Sequence, residues 1–117
     1  MRVHMLTALA VLMSLCGIAY ADARSDAKEQ VEFGISVAQK GLWKEAIYRW
    51  ERATGIDPNY AAAFNNLAVA YEHEGMLEKA GAAYERALKL EPNNPMVRQN
   101  FELFKEIHDR TNQSQNP

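Results

Sequence analysis

The chain has 117 residues, of which 48 % are apolar and 24 % are charged, with 13 Lys and Arg against 15 Asp and Glu. This ordinary balance excludes collagen-like, disulfide-stapled and wholly disordered chains, and the length allows one small domain. A net charge of −2, with basic residues interleaved among acidic ones, predicts no nucleic-acid partner.

Residues 1–21 have the three-part pattern of a secretory signal peptide. A basic start with Arg2 is followed by the uncharged run MLTALAVLMSLCGIA. The sequence Ala19-Tyr20-Ala21 then places small residues at the two positions that a signal peptidase must accommodate. We therefore predict cleavage after Ala21 and a periplasmic or secreted mature chain.

Three alternatives to this cleavage stay open. The cut could fall after Ala23 instead. The uncharged run lies at the low edge of a membrane span, so it could stay as an anchor, the one case in which we expect membrane contact. Lipidation at Cys16 is a further alternative, although the bulky Leu15 precedes it. Cys16 is the only cysteine, so its removal leaves no disulfide and no thiolate metal site.

The first predicted helical unit covers residues 27–60, after a linker over 22–26. Asp26-Ala27-Lys28-Glu29 has the form of a capping box that opens its first helix. Gly41 supplies a left-handed turn into the second helix. The apolar face of that second helix consists of Trp43, Ala46, Ile47, Trp50 and Ala53.

Residues 61–94 repeat this plan at an offset of 34 residues. Gly75 aligns with Gly41, and the junction Glu91-Pro92-Asn93 aligns with Asp57-Pro58-Asn59. One helix pair cannot bury both of its faces, so the two units are expected to stack.

Small residues recur at equivalent positions of the two units. They are predicted to let the helices approach closely, while Trp50 and Tyr84 fill the remaining space. Gly81, inside the last helix of the second unit, costs about 1 kcal/mol relative to Ala and is interpreted as another close approach. The other small residues are Gly34, Ala46, Ala53, Ala68, Ala80 and Ala87.

A capping helix is predicted over residues 95–109. Asn94 is a good N-cap, and Pro95 suits the first turn. One face of this helix is apolar and the other charged, as a terminal cap requires. Residues 110–117 have no apolar anchor and are predicted to be a flexible tail.

The 34-residue unit resembles the tetratricopeptide repeat. Only Gln30 and Val37 of the first unit depart from the family pattern, as in an atypical terminal repeat. The resemblance implies an all-α, right-handed stack of two repeats plus a C-terminal capping helix, with a concave groove that binds peptides or proteins. The second unit carries the eight signature residues Phe64, Leu67, Ala68, Tyr71, Ala80, Tyr84, Ala87 and Pro92.

The resemblance also implies which side chains line the groove, because the first helix of each repeat forms that wall in the family. Apolar members would anchor a peptide, and amides would bind its backbone. The alternative is that Val31 and Ile35 pack beneath the N-terminal residues or against a second copy. The predicted groove residues are Lys28, Val31, Ile35, Gln39, Ala62, Asn65, Val69, Glu72, His73, Gln99 and Leu103.

One subtype of the family grips a terminal carboxylate with Lys and Asn side chains. Asn66 fits one such position. The partner positions lack the required residues, so the clamp is absent here. These positions hold Val31, Ile35, Met96 and Asn100.

No catalytic motif is found, so we predict no enzymatic activity, cofactor or metal. Adjacent side chains of Glu72-His73-Glu74 diverge on a helix and cannot converge on one ion, and a solvated helix end is the favoured interpretation. The predicted function is a non-catalytic exported adaptor that binds a segment of another protein. The alternative is a structural unit that self-assembles end to end into a homo-oligomer.

Overall fold

The computed structural model describes residues 22–115. The predicted signal peptide, residues 1–21, lies outside the described residues. The described part is all-α, which confirms the predicted fold class of a helical repeat stack, and none of its helices is long and apolar enough to cross a membrane. Its helices are α1 (22–39), α2 (Trp43–Ile56), α3 (Ala61–His73), α4 (Leu77–Leu90) and α5 (Pro95–Gln115).

The helices pack in chain order. Helix α2 contacts α3, α3 contacts α4, and α5 contacts both α4 and α3. Helix α1 joins the stack through Trp50 of α2, whose indole Nε1 donates to the Val31 carbonyl at 3.0 Å. One buried cluster runs through all five helices, from Ala27 to Phe104.

One glycine turn joins the two helices of each repeat. Gly41 has φ 77° and Gly75 has φ 73°, a left-handed conformation that favours glycine. After each turn a peptide N–H reaches back to the preceding helix. Met76 donates to the Tyr71 carbonyl at 2.7 Å, and the equivalent bond follows Gly41. The two turns predicted from the sequence are therefore confirmed.

The predicted close approach of small residues is confirmed at Gly34 and is wrong at Gly81. A Cβ on Gly34 would collide with the Trp50 ring, whereas one on Gly81 would lie 3.5 Å from Phe104 Cε1, an ordinary contact. The recurring alanines of the two units are fully buried: Ala46, Ala53, Ala68, Ala80 and Ala87.

The predicted linker over residues 22–26 is wrong, since these residues are helical and the supposed capping box lies inside α1. A long-range contact explains the difference. Arg24 pairs with the Asp57 carboxylate, donates to the Asn59 carbonyl at 3.2 Å, and lies 4.6 Å from the Tyr60 ring centre. These contacts hold the described start of α1 against the junction between the repeats.

Helix α5 starts as predicted but extends further. The Asn94 Oδ1 atom accepts bonds from the backbone N–H groups of Met96 and Val97, which confirms the N-cap. The predicted flexible tail is corrected, because residues 110–115 continue the helix. Local bonds support the extra turn, including Thr111 Oγ1 to the Ile107 carbonyl at 2.9 Å.

Candidate functional site: a groove across the repeats

A cavity of about 350 Å³ opens between α1, α2 and α3. Its wall is mainly apolar, with the amides of Gln39 and Asn66 as polar groups. Among the described residues, no hydrogen bond engages the Asn66 side chain. The lining residues are Ile35, Ala38, Gln39, Trp43, Trp50, Asn66 and Val69.

Two large apolar side chains of this wall remain exposed. Ile35 is 41 % exposed and Val69 is 36 % exposed. Both were predicted groove residues, and both line the same cavity, Ile35 from α1 and Val69 from α3. Apolar surface that stays in water within a concave site can stabilise a bound ligand by becoming buried.

Two other predicted groove residues are buried, which corrects their assignment. Val31 is 5 % exposed and belongs to the core cluster, with its carbonyl bonded to Trp50. Asn65 is 3 % exposed, and its Oδ1 accepts a bond from Asn100 Nδ2 at 3.3 Å. Neither side chain is available to a ligand, because a neighbouring helix covers it.

Two further cavities continue from the first towards α5. One of about 290 Å³ is lined by Val69, Glu72 and His73. The other, of about 170 Å³, lies between α3, α4 and α5. Val69 borders the first and second cavities and Glu72 the second and third, so the three are neighbours and are here together called the cross-repeat groove. The third cavity is lined by Glu72, Leu77, Phe104, Ile107, His108 and Thr111.

Four predicted groove residues do not line the cross-repeat groove: Lys28, Ala62, Gln99 and Leu103. Lys28, Gln99 and Leu103 are exposed, and Ala62 is half-buried. The structure therefore brings together Ile35, Gln39, Val69, Glu72 and His73 from the predicted set.

A stacked pair of rings joins the two repeats between the first cavity, which Trp43 lines, and the second, which His73 lines. Trp43 and His73 have ring centres 4.1 Å apart and planes inclined by 21°. His73 ends α3 and its side chain is 53 % exposed, which agrees with the solvated helix end that the sequence analysis favoured, and one face of its ring also stacks on Trp43. Trp43 was assigned to the core face and was missed as a site residue. The 34-residue offset does not reveal it, because the equivalent residue Leu77 is also part of an apolar helix face in the sequence and its place in the third cavity is known only from the structure.

Glu72 is the one Asp, Glu, Lys or Arg among the lining residues of the cross-repeat groove. Its Oε2 accepts a bond from the Tyr84 hydroxyl at 2.7 Å. Burial of the phenol, together with this bond and the nearby negative charge of Glu72, raises the pKa of Tyr84 well above its ordinary value. The phenol therefore stays a proton donor and holds the carboxylate in place.

The described residues offer no metal centre. Within 22–115, no group of three His, Cys, Asp or Glu side chains could hold a metal ion. What the groove presents is an apolar wall, two amides, a Trp–His stack and one carboxylate. This arrangement suits non-covalent binding of a chain segment.

Family models match two overlapping parts of the chain. The model described as tetratricopeptide repeat matches residues 61–94, and the one described as TPR repeat matches residues 37–75. Residues 37–94 are therefore similar to the tetratricopeptide-repeat family, whose domains are protein–protein interaction modules. The first of these matches coincides with the second predicted repeat.

Relatives share this region within longer proteins. The chain is 33 % identical over 73 residues to the chloroplastic tetratricopeptide repeat domain-containing protein PYG7 of Arabidopsis thaliana, covering 62 % of this chain and 24 % of that protein. It is 27 % identical over 82 residues to the photosystem I assembly protein Ycf3 of Rippkaea orientalis, covering 58 % and 47 %. The chain thus spans less than half the length of either relative.

Two solved structures show a similar arrangement of helices. The first TPR of Spaghetti (RPAP3) bound to the HSP90 peptide SRMEEVD has a TM-score of 0.46 at 19 % identity, covering 74 % of this chain and 95 % of that one. The first TPR domain of human RPAP3 has a TM-score of 0.45 at 20 % identity, covering 76 % and 97 %.

Proposed function

We propose that this chain is an exported, non-catalytic adaptor whose cross-repeat groove binds a segment of another protein. One observation carries the proposal. Ile35 and Val69 remain exposed in the lining of one cavity, together with the amides of Gln39 and Asn66. Apolar anchors beside amides can bind both the side chains and the backbone of an extended segment.

The energetics favour a ligand of modest size. Covering the exposed parts of Ile35 and Val69 would contribute about 1 kcal/mol each, since full burial of such a side chain is worth roughly 1.5–3 kcal/mol. Two amides add hydrogen bonds whose net value is about 1 kcal/mol each. These contributions suit a reversible adaptor more than a permanent complex.

The binding experiment compares three forms of the full chain as bait in an envelope extract. The test variant is Ile35→Glu with Val69→Glu, and the matched control is Tyr48→Glu, since Tyr48 is 50 % exposed on α2 and does not line the groove. Circular dichroism checks that each form stays helical. We expect a partner retained by the native chain and the control and lost by the double variant. Equal retention of the partner by all three forms would contradict binding in the cross-repeat groove.

Export is tested separately. The support is the pattern of residues 1–21, with its basic start, apolar run and small-residue ending. The full chain is produced in a bacterium, and the periplasmic product is analysed by mass spectrometry. We expect an N-terminus at Asp22. Recovery of the uncut chain from the membrane would instead support the anchor.

A second candidate function is end-to-end self-assembly. Three side chains of α5, Met96, Leu103 and Ile107, are 54 %, 55 % and 51 % exposed. Their spacing puts them on one side of the helix, so a second copy could stack there. Light scattering across a dilution series tests this, with Leu103→Lys as the variant. A constant monomer mass at all concentrations would exclude it.

A further inference from the structure

We infer that the cross-repeat groove selects segments in which a Lys or Arg side chain stands between apolar residues, with Glu72 as the group that binds the cation. This inference rests on the proposed function and specifies the chemistry of its partner.

The groove has a single sign of fixed charge. Within residues 22–115, no Lys or Arg lines any of the three cavities. Several basic side chains are instead paired outside the groove: Arg24 with Asp57, Arg49 with Glu45, Lys105 with Glu102 and Arg110 with Glu106. A bound segment therefore meets one formal charge, and that charge is negative.

The carboxylate of Glu72 is fixed and open to a further bond. The Tyr84 hydroxyl holds Oε2 at 2.7 Å. Among the ion pairs of residues 22–115, none includes Glu72, so its charge is not matched by a nearby cation. The residue is half-buried, and salt screens such a charge less than it screens a fully exposed one. A charge-assisted bond from an ammonium or guanidinium group would satisfy it.

Features beside Glu72 favour the same ligand. His73 and Trp43 form their stack next to it, and the indole lines the first cavity. Aromatic faces attract cations and pack against the alkyl stems of Lys and Arg.

Apolar surface flanks the carboxylate on both sides. Towards α1 the wall is formed by Ile35 and Ala38, and towards α5 by Leu77, Phe104 and Ile107. A segment that crosses the groove would bury apolar side chains at both ends and place its middle at Glu72. An acidic residue there would face the carboxylate, and this repulsion excludes acidic segments.

The test selects randomised short peptides displayed on phage against the immobilised full chain. A parallel selection uses Ile35→Glu with Val69→Glu to remove peptides that bind elsewhere. We expect the groove-dependent peptides to be enriched in Lys or Arg between apolar residues. For the best peptide, replacing that Lys or Arg by Gln should weaken binding roughly tenfold, measured by fluorescence anisotropy.

The variant Glu72→Gln keeps an acceptor for Tyr84 and removes the charge. It should abolish the difference between the cationic peptide and its Gln counterpart, while Glu85→Gln, an exposed position on α4, should preserve the difference. If Glu72→Gln fails to fold, salt titration of the native chain replaces it. Added salt should then weaken the cationic peptide and leave the Gln peptide unchanged.

The outcomes separate the two proposals. Groove-dependent peptides that are neutral or acidic, or that bind equally well to Glu72→Gln, would overturn the inference and leave the adaptor function standing. The absence of any peptide lost with Ile35→Glu and Val69→Glu would overturn both.

Discussion

The backbone of Gly34 lies directly against the indole ring of Trp50, so that a Cβ on Gly34 would stand 2.7 Å from both Cδ1 and Cε2 of the ring. The same ring donates its N–H to the Val31 carbonyl at 3.0 Å. Trp50 is thus fixed to α1 by a close contact and by a hydrogen bond, and the first repeat depends on both.

Overpacking a core costs about 1–3 kcal/mol, and the helix propensity of Ala offsets about 1 kcal/mol of that cost. Gly34→Ala is therefore expected to lower the free energy of unfolding by up to about 2 kcal/mol. Urea denaturation followed by circular dichroism measures the change. An unchanged or higher stability would show that Trp50 can move aside at no cost.

Gly81→Ala is the matched substitution in the second repeat, with the opposite expected sign. A Cβ there would lie 3.5 Å from Phe104 Cε1, which is ordinary packing. The variant should gain about 0.5–1 kcal/mol from helix propensity, seen as a higher urea midpoint at an unchanged slope. Destabilisation would mean that α5 packs more tightly on α4 than this distance indicates.

The contact between Arg24 and Asp57 predicts a dependence of stability on pH. Partial burial acts to raise the pKa of Asp57, but the bonds from Arg24 and the Asn59 N–H, with the Arg24 charge, outweigh it and lower that pKa below its ordinary value. A lowered pKa in the folded state stabilises the fold above the ordinary Asp value near 4. This stabilisation disappears as the pH falls below that value.

Asp57→Asn should accordingly lower stability by about 1 kcal/mol at pH 7, a modest value because Arg24 is partly exposed. The difference between the variant and the native chain should vanish at acidic pH, where Asp57 is protonated in both states. Urea denaturation at neutral and acidic pH measures both quantities. A difference that persists in acid would assign the effect to packing and not to charge.

Tyr71 and Tyr84 predict a loss of stability at alkaline pH. Burial, together with bonds to Glu51 and Glu72, raises the pKa of each phenol in the folded chain. The folded state therefore keeps protons that the unfolded state releases, and its stability falls as the pH rises above the ordinary Tyr value near 10.

Replacing both tyrosines by Phe should lower stability at pH 7 by roughly 1 kcal/mol per lost bond. The double substitution should also reduce the loss of folding stability above pH 10. Tyr48→Phe, at an exposed position, is the control and should leave that decline as it is in the native chain. An equally steep decline in the double variant would assign it to other groups.

Most of the fold follows from signals within the sequence. Gly41, Gly75, Pro58 and Pro92 mark the limits of the middle helices, and the 3–4 spacing of apolar residues marks their inner faces. The outer limits were predicted less well. The described start of α1 is held by Arg24 through a contact 33 residues away, which no local pattern encodes.

The site residues were also predicted only in part, because some of them depend on contacts between residues far apart in the sequence. The repeat register places Ile35 and Val69 on the groove wall. It cannot show that Asn100 covers Asn65, because that bond depends on how α5 crosses α3. Trp43 was missed since its position, directly after a turn, serves both the core and the groove.

Both tryptophans of the chain, Trp43 and Trp50, line the first cavity. The ultraviolet emission of the folded domain therefore originates beside the binding groove, with the imidazole of His73 stacked on one of the two emitters. Occupation of the groove by a ligand without tryptophan would change the wavelength or intensity of that light. The molecule thus carries its own unlabelled optical sensor of whether the groove is filled.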